Sequence, residues 1–307
     1  MTELFLFTSL IPALIGLLVG GDFFQVLYKP SRKHIFWVLK NRSLLVVLSL
    51  GLWVFGALSH FAYRSTSPYL LWGSFLADLL FLAGGLLLAP YVMFPKLRDP
   101  NWITAGEADH DLSAEDPVIG VEIEGDARAF PTDWTFRPHI VEDRIGGKPI
   151  SLTFCMLSNL GMAYETTFNG DSMELIMPVQ WENNMMMYDL NGDRLIQQVE
   201  GKVIAGDDKG KTLQKHPTRI MPWSSWKTLH PETQVLDNRP SGLFDRLVRF
   251  VINRFFFQPN FERPEPMFPT IDKFDERLPN KAEVIGLATD AQQVAYPIEG
   301  LERVRVF

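Results

Sequence analysis

Cysteine is nearly missing from this chain: Cys155 is the only one in 307 residues. That excludes an internal disulfide and any zinc site built on cysteine pairs. Several chemical signatures are missing too. The chain has no Walker loop, no G-x-G-x-x-G, no G-x-S-x-G, and no H-x-x-x-H or H-E-x-x-H spacing. Acids are scarce at the start, where Glu3, Asp22 and Asp78 stand against eight Lys/Arg over residues 1–98, a balance of +5. Bases are short in the rest, where 33 acids meet 21 Lys/Arg and the balance is −12. Binding to a phosphate backbone depends on Lys and Arg displacing counterions, so no nucleic-acid partner is expected.

Long hydrophobic runs fill the first third. Residues 4–20 carry no charge, residues 43–63 only the protonatable His60, and residues 69–94 only Asp78. A bilayer core about 30 Å thick needs roughly 20 apolar helical residues. About three transmembrane helices are therefore predicted within residues 1–95, at about 4–20, 43–63 and 69–94. The first is near the short limit. Its rival is a cleaved signal peptide, but no Lys or Arg precedes the run and no clean small-x-small site follows it.

Orientation follows from the bases. Segment 21–42 holds five, Lys96 and Arg98 follow the third run, loop 64–68 holds Arg64, and the N-terminus has none. With three spans this predicts a multi-pass protein of the inner (plasma) membrane, its large domain on the cytoplasmic side. Asp78 is an intramembrane polar residue, and such groups usually face a partner or cavity. The plainer reading is a protonated carboxyl bonded to a neighbouring helix, near His60 or a serine. Gly73 with Ala77, and Gly16 with Gly20, have the small-xxx-small spacing of close helix contacts.

Residues 96–115 are polar, contain turn formers, and read as a linker. From 116 to 307 the pattern predicts a mainly β, α+β soluble domain. PVIGVEIEG alternates and returns as Ala127–Phe130 after Gly125-Asp126, a short hairpin. ISLTFC, Met162–Phe168, Met173–Met177, Met185–Tyr188, Leu195–Val199 and Gln234–Leu236 read as further strands, Asn191-Gly192 as a turn, and Pro222–Leu229 as a helix. The first hairpin recurs. PVIGVEIEGDARAFP (117–131) and EVIGLATDAQQVAYP (283–297) share Val, Ile, Gly, Ala and Pro at the same offsets. A duplicated hairpin is expected, pairing the end of the domain with its start.

The series VIGVEIEGDARAFP, IVEDRIGGKPISLTFC, YDLNG, QQVEGKVIAGDDKGKTLQ and WSSWKTLHPETQVL resembles the prokaryotic domain-of-unknown-function family 3179 (DUF3179) over about 116–237. DERLPNKAEVIGLATDAQQVAYP resembles a later part of that family. The resemblance implies a redox-type ancestry, because members usually carry a Cys-x-x-Cys-like pair or a selenocysteine where this chain has CMLS. A dithiol needs one thiolate to attack and a second to resolve. Ser158 cannot resolve a disulfide, so a thiol cycle within this chain is not expected.

Cys155 is the one catalytic candidate. It ends an apolar strand, where a cysteine is more often core than reactive. His110, His139, His216 and His230 are scattered, and lone histidines are more often capping or surface residues than ligands. Asp109-His110-Asp111 is a weak local metal candidate. Met185-Met186-Met187 has the composition of copper-binding methionines but sits where a strand is expected. No metal site and no cofactor is predicted.

LFDRLVRFVINRFFF (243–257) places apolar residues at 243, 244, 247, 248, 251, 252, 255 and 256, the repeat of a one-faced helix. Its polar side carries Arg246, Arg249 and Arg254 against Asp245. A basic amphipathic helix in an acidic domain suits an anionic leaflet or a neighbouring subunit. Phe244, Leu247, Val251 and Phe255, with the three arginines, are its predicted contact residues. Packing on the domain's own core is the competing reading.

Two functions stand open. One is a non-catalytic, membrane-anchored accessory or scaffold subunit, with the lipid bilayer and other membrane-protein subunits as partners. The other is a membrane-bound thiol- or metal-dependent redox protein using Cys155. The first is favoured.

Overall fold

The computed structural model describes residues 1–20, 29–64, 66–268, 271, 275–288 and 292–301. The apolar runs become α1 (Thr2–Gly20), α3 (Arg42–Tyr63) and α4 (Pro68–Leu87), with α1 packed against both others. Ser67 accepts from the Tyr69 N–H and Pro68 occupies the first turn, where its missing N–H costs nothing. Helices α3 and α4 are long and apolar enough to cross a membrane, whereas α1 is a shorter apolar helix by the same measure. The third run is shorter than its composition predicts. Pro90 cannot continue α4 and disfavours helix at Ala89, so the chain breaks there and resumes as α5 (Pro90–Met93).

Small residues do bring these helices together, but not at every predicted place. A Cβ on Gly85 would lie 3.2 Å from the Gly16 backbone, and one on Gly56 would lie 2.7 Å from Leu6. A Cβ on Gly73 would meet nothing within 4 Å among the described residues, so no close contact is made at that glycine. At one end of the bundle Thr66 Oγ1 donates to Glu3 Oε1 at 3.4 Å. At the other, α2 (Arg32–Lys40), capped by Ser31, buries Ile35 and Leu39 against Val179, Trp181, Met186 and Tyr188 of the β-rich part. Arg32 lies over the Trp181 ring at 4.1 Å, and Lys40 reaches Asp193 at 3.2 Å.

The remainder is α+β. One sheet runs β1 (Leu97–Arg98), β5 (Ile140–Ile145), β6 (Lys148–Cys155), β7 (Leu160–Glu165), β14 (Lys215–His216). A meander runs β10 (Leu175–Trp181), β11 (Asn184–Asp189), β12 (Arg194–Gln197), β13 (Lys202–Ala205). The third sheet runs β15 (Thr218–Pro222), β3 (Pro117–Ile123), β4 (Asp126–Pro131), β16 (Gln234–Leu236), β2 (Trp102–Thr104). Two ladders stand alone, β8 (Thr167–Phe168) with β9 (Asp171–Ser172) and β17 (Val284–Ala288) with β18 (Gln293–Pro297). The helices are α6 (Ala105–Ala108), α7 (Thr132–Thr135), α8 (Trp223–Leu229), α9 (Gly242–Ile252), α10 (Gln258–Glu262) and α11 (Ile298–Leu301); a π-helical turn, Asn253–Phe257, joins α9 to α10. The segment read as a linker is part of this fold, since β1 pairs with β5 and β2 with β16. Its polarity suits edge strands, which are held by backbone bonds rather than apolar side chains.

Strand β6 joins two cores. Ile150, Leu152 and Phe154 face the third sheet, meeting Ile119, Val121 and Phe130. Cys155, one residue out of step, faces the meander with Met177, Met185 and Met187. The methionine triplet splits the same way, because Met186 turns to the α2 side.

The hairpin repeat persists in register. Val118↔Pro131, Ile119↔Phe130 and Gly120↔Ala129 in β3–β4 correspond to Val284↔Pro297, Ile285↔Tyr296 and Gly286↔Ala295 in β17–β18. The first turn is Glu124-Gly125, both at positive φ, rather than Gly125-Asp126. Contrary to expectation, β17–β18 does not pair with the start of the domain. It forms its own sheet, and its apolar side chains are exposed.

Candidate functional site

Cys155 is fully buried, and its Sγ is 3.7 Å from Gln180 Oε1. Burial pushes the thiol up from its ordinary value, and the Ser158 hydroxyl and the backbone at Ser158, Leu157 and Met185 only partly oppose that. A thiolate nucleophile needs the reverse: exposure and a lowered pKa. The position is a packed strand end beside a turn.

Above it lies a cavity of about 50 Å³ between the β sheets and the end of α4, where Leu88 and Pro90 line it. Met93, Met156, Met177 and Met267 share its wall with His139 and Gln180. His139 is 2% exposed and holds φ at 74°, a conformation that L side chains rarely adopt. Two backbone bonds keep it there, from its N–H to Thr135 O at 3.1 Å and from the Phe154 N–H to its carbonyl at 2.8 Å. Its ring stacks on Phe94 at 4.2 Å and 12°. Burial lowers the imidazole pKa to about 3, opposed by a hydrogen bond between the ring and the Phe136 backbone. The ring is therefore neutral at physiological pH, and its Nδ1 has no partner among the described residues.

The helix predicted over 243–257 is α9 with its π-helical turn, and it has two faces. Val248, Ile252 and Phe257 pack into the main core. Leu243, Phe244, Leu247, Phe250 and Phe255 are exposed at 85, 72, 55, 62 and 61%, and Val251 is half-buried. Arg246 and Arg254 are exposed, as a surface role requires. Arg249 is not. It is buried, bonds Asp245 at 2.8 Å and the carbonyls of Asp133 and Arg137 at 2.8 and 3.0 Å, and lies 5.0 Å from the Phe136 ring centroid. An arginine four residues after an aspartate can satisfy its charge within the helix, which a wheel of polar and apolar positions does not reveal. Arg137 ties the helix to α5, donating to Met93 O at 2.8 Å and pairing with Asp245.

The remaining candidates fall elsewhere. Asp78 is buried among the apolar helices, with the Ser49 hydroxyl donating to Oδ1 at 3.2 Å and Ser9 beside it; the partners are serines rather than His60. Asp109 pairs with Trp223 Nε1 and Lys227, and Asp111 with Arg239, so the Asp-His-Asp run supports the fold. Among the described residues no group of three His, Cys, Asp or Glu gathers that could hold a metal ion. Gln180 is a functional candidate that the sequence does not mark, and His139 stands there only as one of several scattered histidines. Neither carries a motif, and they become notable only when residues 93, 139, 156, 177, 180 and 267 converge.

No curated protein and no solved structure matches the chain. The model of one family, described as a protein of unknown function, DUF3179, matches residues 92–307. That range covers the β sheets, the cavity wall from Met93 onward and α9, and the chain belongs to the DUF3179 family.

Proposed function

We propose that this protein is a membrane-anchored, non-catalytic subunit of a membrane-protein assembly. In this reading α1, α3 and α4 span the inner membrane, with the sheet domain lying against the cytoplasmic leaflet. The observation that carries it is the place of α9. The helix is linked through Arg137 to Met93, six residues after α4 ends, and its outer apolar face is uncovered. An apolar side chain of this size gains about 1.5–3 kcal/mol on full burial, so five exposed together need a cover. Lipid at the bilayer boundary supplies one, with Arg246 and Arg254 at headgroup level.

The anchoring is supported by coverage. Only 22% of the apolar window of α3 and 17% of that of α4 is buried, whereas the core helix of a water-soluble protein would be mostly covered. Three spans are supported by α2, between α1 and α3 in the chain, which packs on the domain while Glu3 and Thr66 meet at the other end of the apolar helices. Cytoplasmic placement rests on the bases gathered on the domain's side. The thiol-redox alternative draws nothing from the geometry, since Cys155 is sealed and Ser158 is no resolving thiol.

The subunit reading is tested at the second hairpin, whose apolar side chains also lack a cover. A photo-crosslinking residue at Leu287 in native membranes should give one discrete protein adduct, lost in Gly286→Asp. A chain that gives no adduct and runs as a free monomer from mild detergent would contradict the reading.

A further inference from the structure

The cavity beneath the end of α4 has a composition that core packing alone does not require. Four of the chain's eleven methionines line one space of about 50 Å³. That volume is too small for an organic cofactor and ample for an ion. The wall also holds a buried imidazole whose Nδ1 has no partner among the described residues. Leaving such a nitrogen unbonded is costly, so a purely apolar filling does not account for it.

We propose that this cavity is a binding site for a soft monovalent metal ion, Cu(I), held by His139 Nδ1 and the thioethers of the methionines around it. Donor chemistry selects the ion. Thioether and imidazole together suit Cu(I), while hard divalent ions want oxygen ligands, and the described residues gather no carboxylate group here. Geometry agrees as well. The ring is fixed by its stack on Phe94 and by both backbone bonds of His139, so little motion remains to be lost on binding. A single positive charge among neutral donors also costs less to bury than a divalent one. The site is independent of the subunit reading, because its proposed ligands, His139 and the cavity's methionines, need neither the exposed face of α9 nor a protein partner.

The test uses the full chain in mild detergent, reduced and free of oxygen, titrated with Cu(I) against a chromophoric Cu(I) chelator. One copper per chain should resist the chelator, and X-ray absorption at the copper edge should show sulfur neighbours with one nitrogen. His139→Asn keeps a residue tolerant of positive φ and should weaken retention by at least about tenfold, a loss no smaller than removing a supporting hydrogen bond from a metal site brings. Met156→Leu with Met177→Leu conserves volume and should weaken it as well, with the melting temperature serving as the fold control. The proposal is overturned if the chelator strips the wild-type chain completely, which would assign the space to water or packing. It is equally overturned if copper is held through sulfur alone or if His139→Asn retains it unchanged.

Discussion

The two hairpins of this chain are the same object in two surroundings. Val118, Ile119, Val121 and Phe130 of β3–β4 are at most 1% exposed, covered by β15 on one edge, β16 on the other and Trp226 on the face. Their counterparts Val284, Ile285, Leu287 and Tyr296 are 41, 48, 56 and 42% exposed, in an identical register. A hairpin's pairing is thus set by its own alternation and turn, while its burial depends on what the rest of the chain brings to it. A pair of strands alone is marginal in water, so the second copy is the one that needs something from outside. Helix α9 repeats the lesson within a single element, one face in the core and the other bare.

The comparison can be broken at its glycines. A Cβ on Gly120 would come within 2.2 Å of the Trp226 ring, whereas one on Gly286 would meet nothing within 4 Å among the described residues. Gly120→Ala should therefore cost about 3 kcal/mol or more, and Gly286→Ala less than about 0.5 kcal/mol, by denaturant unfolding of the full chain. Equal costs would mean that the second hairpin is as enclosed as the first. The arginines sharpen the same contrast on α9. Arg249→Gln breaks a buried, multiply bonded ion pair and should cost about 2–4 kcal/mol. A smaller effect, about 1–3 kcal/mol, is expected for Cys155→Ser, which puts a hydroxyl in a thiol's apolar place. The native thiol should also resist alkylation until the chain unfolds. Smallest is the double change of Arg246 and Arg254 to Gln. It should move the melting temperature hardly at all, yet weaken attachment to anionic lipid by about 1 kcal/mol per residue, an effect that salt should mimic.

Much of the fold is legible in the sequence because periodicity is local. The apolar runs, the hairpin repeat and α8 declare themselves in ten to twenty residues. The end of α4 is written in Pro90, although the apolar Tyr91–Phe94 hides it. What local pattern cannot carry is convergence. Met93, His139, Gln180 and Met267 form one wall only after three sheets have closed. Charge shows the same limit. The +5 and −12 halves look like separate facts until Arg32, Lys40, Lys96 and Arg98 are found paired with Glu182, Asp193, Glu142 and Glu174. Arg32 and Lys40 tie α2 to the sheets, and in the proposed reading the same bases also mark a side of the membrane. Cysteines placed in the exposed 169–172 turn should accordingly stay unlabelled by an impermeant reagent in intact cells, and labelling there would reverse the orientation.

The central claim is that the bare face of α9 lies on lipid. The direct measurement places a spin label at Phe250 or at Asn169, in a Cys155→Ser background, in the full chain embedded in nanodiscs containing anionic lipid. Collisions with oxygen, which concentrates in the bilayer, are compared with those of a water-soluble nickel complex. The account predicts that the label at 250 is oxygen-accessible and shielded from nickel, and that the label at 169 is the reverse. Equal nickel access at both positions would contradict it.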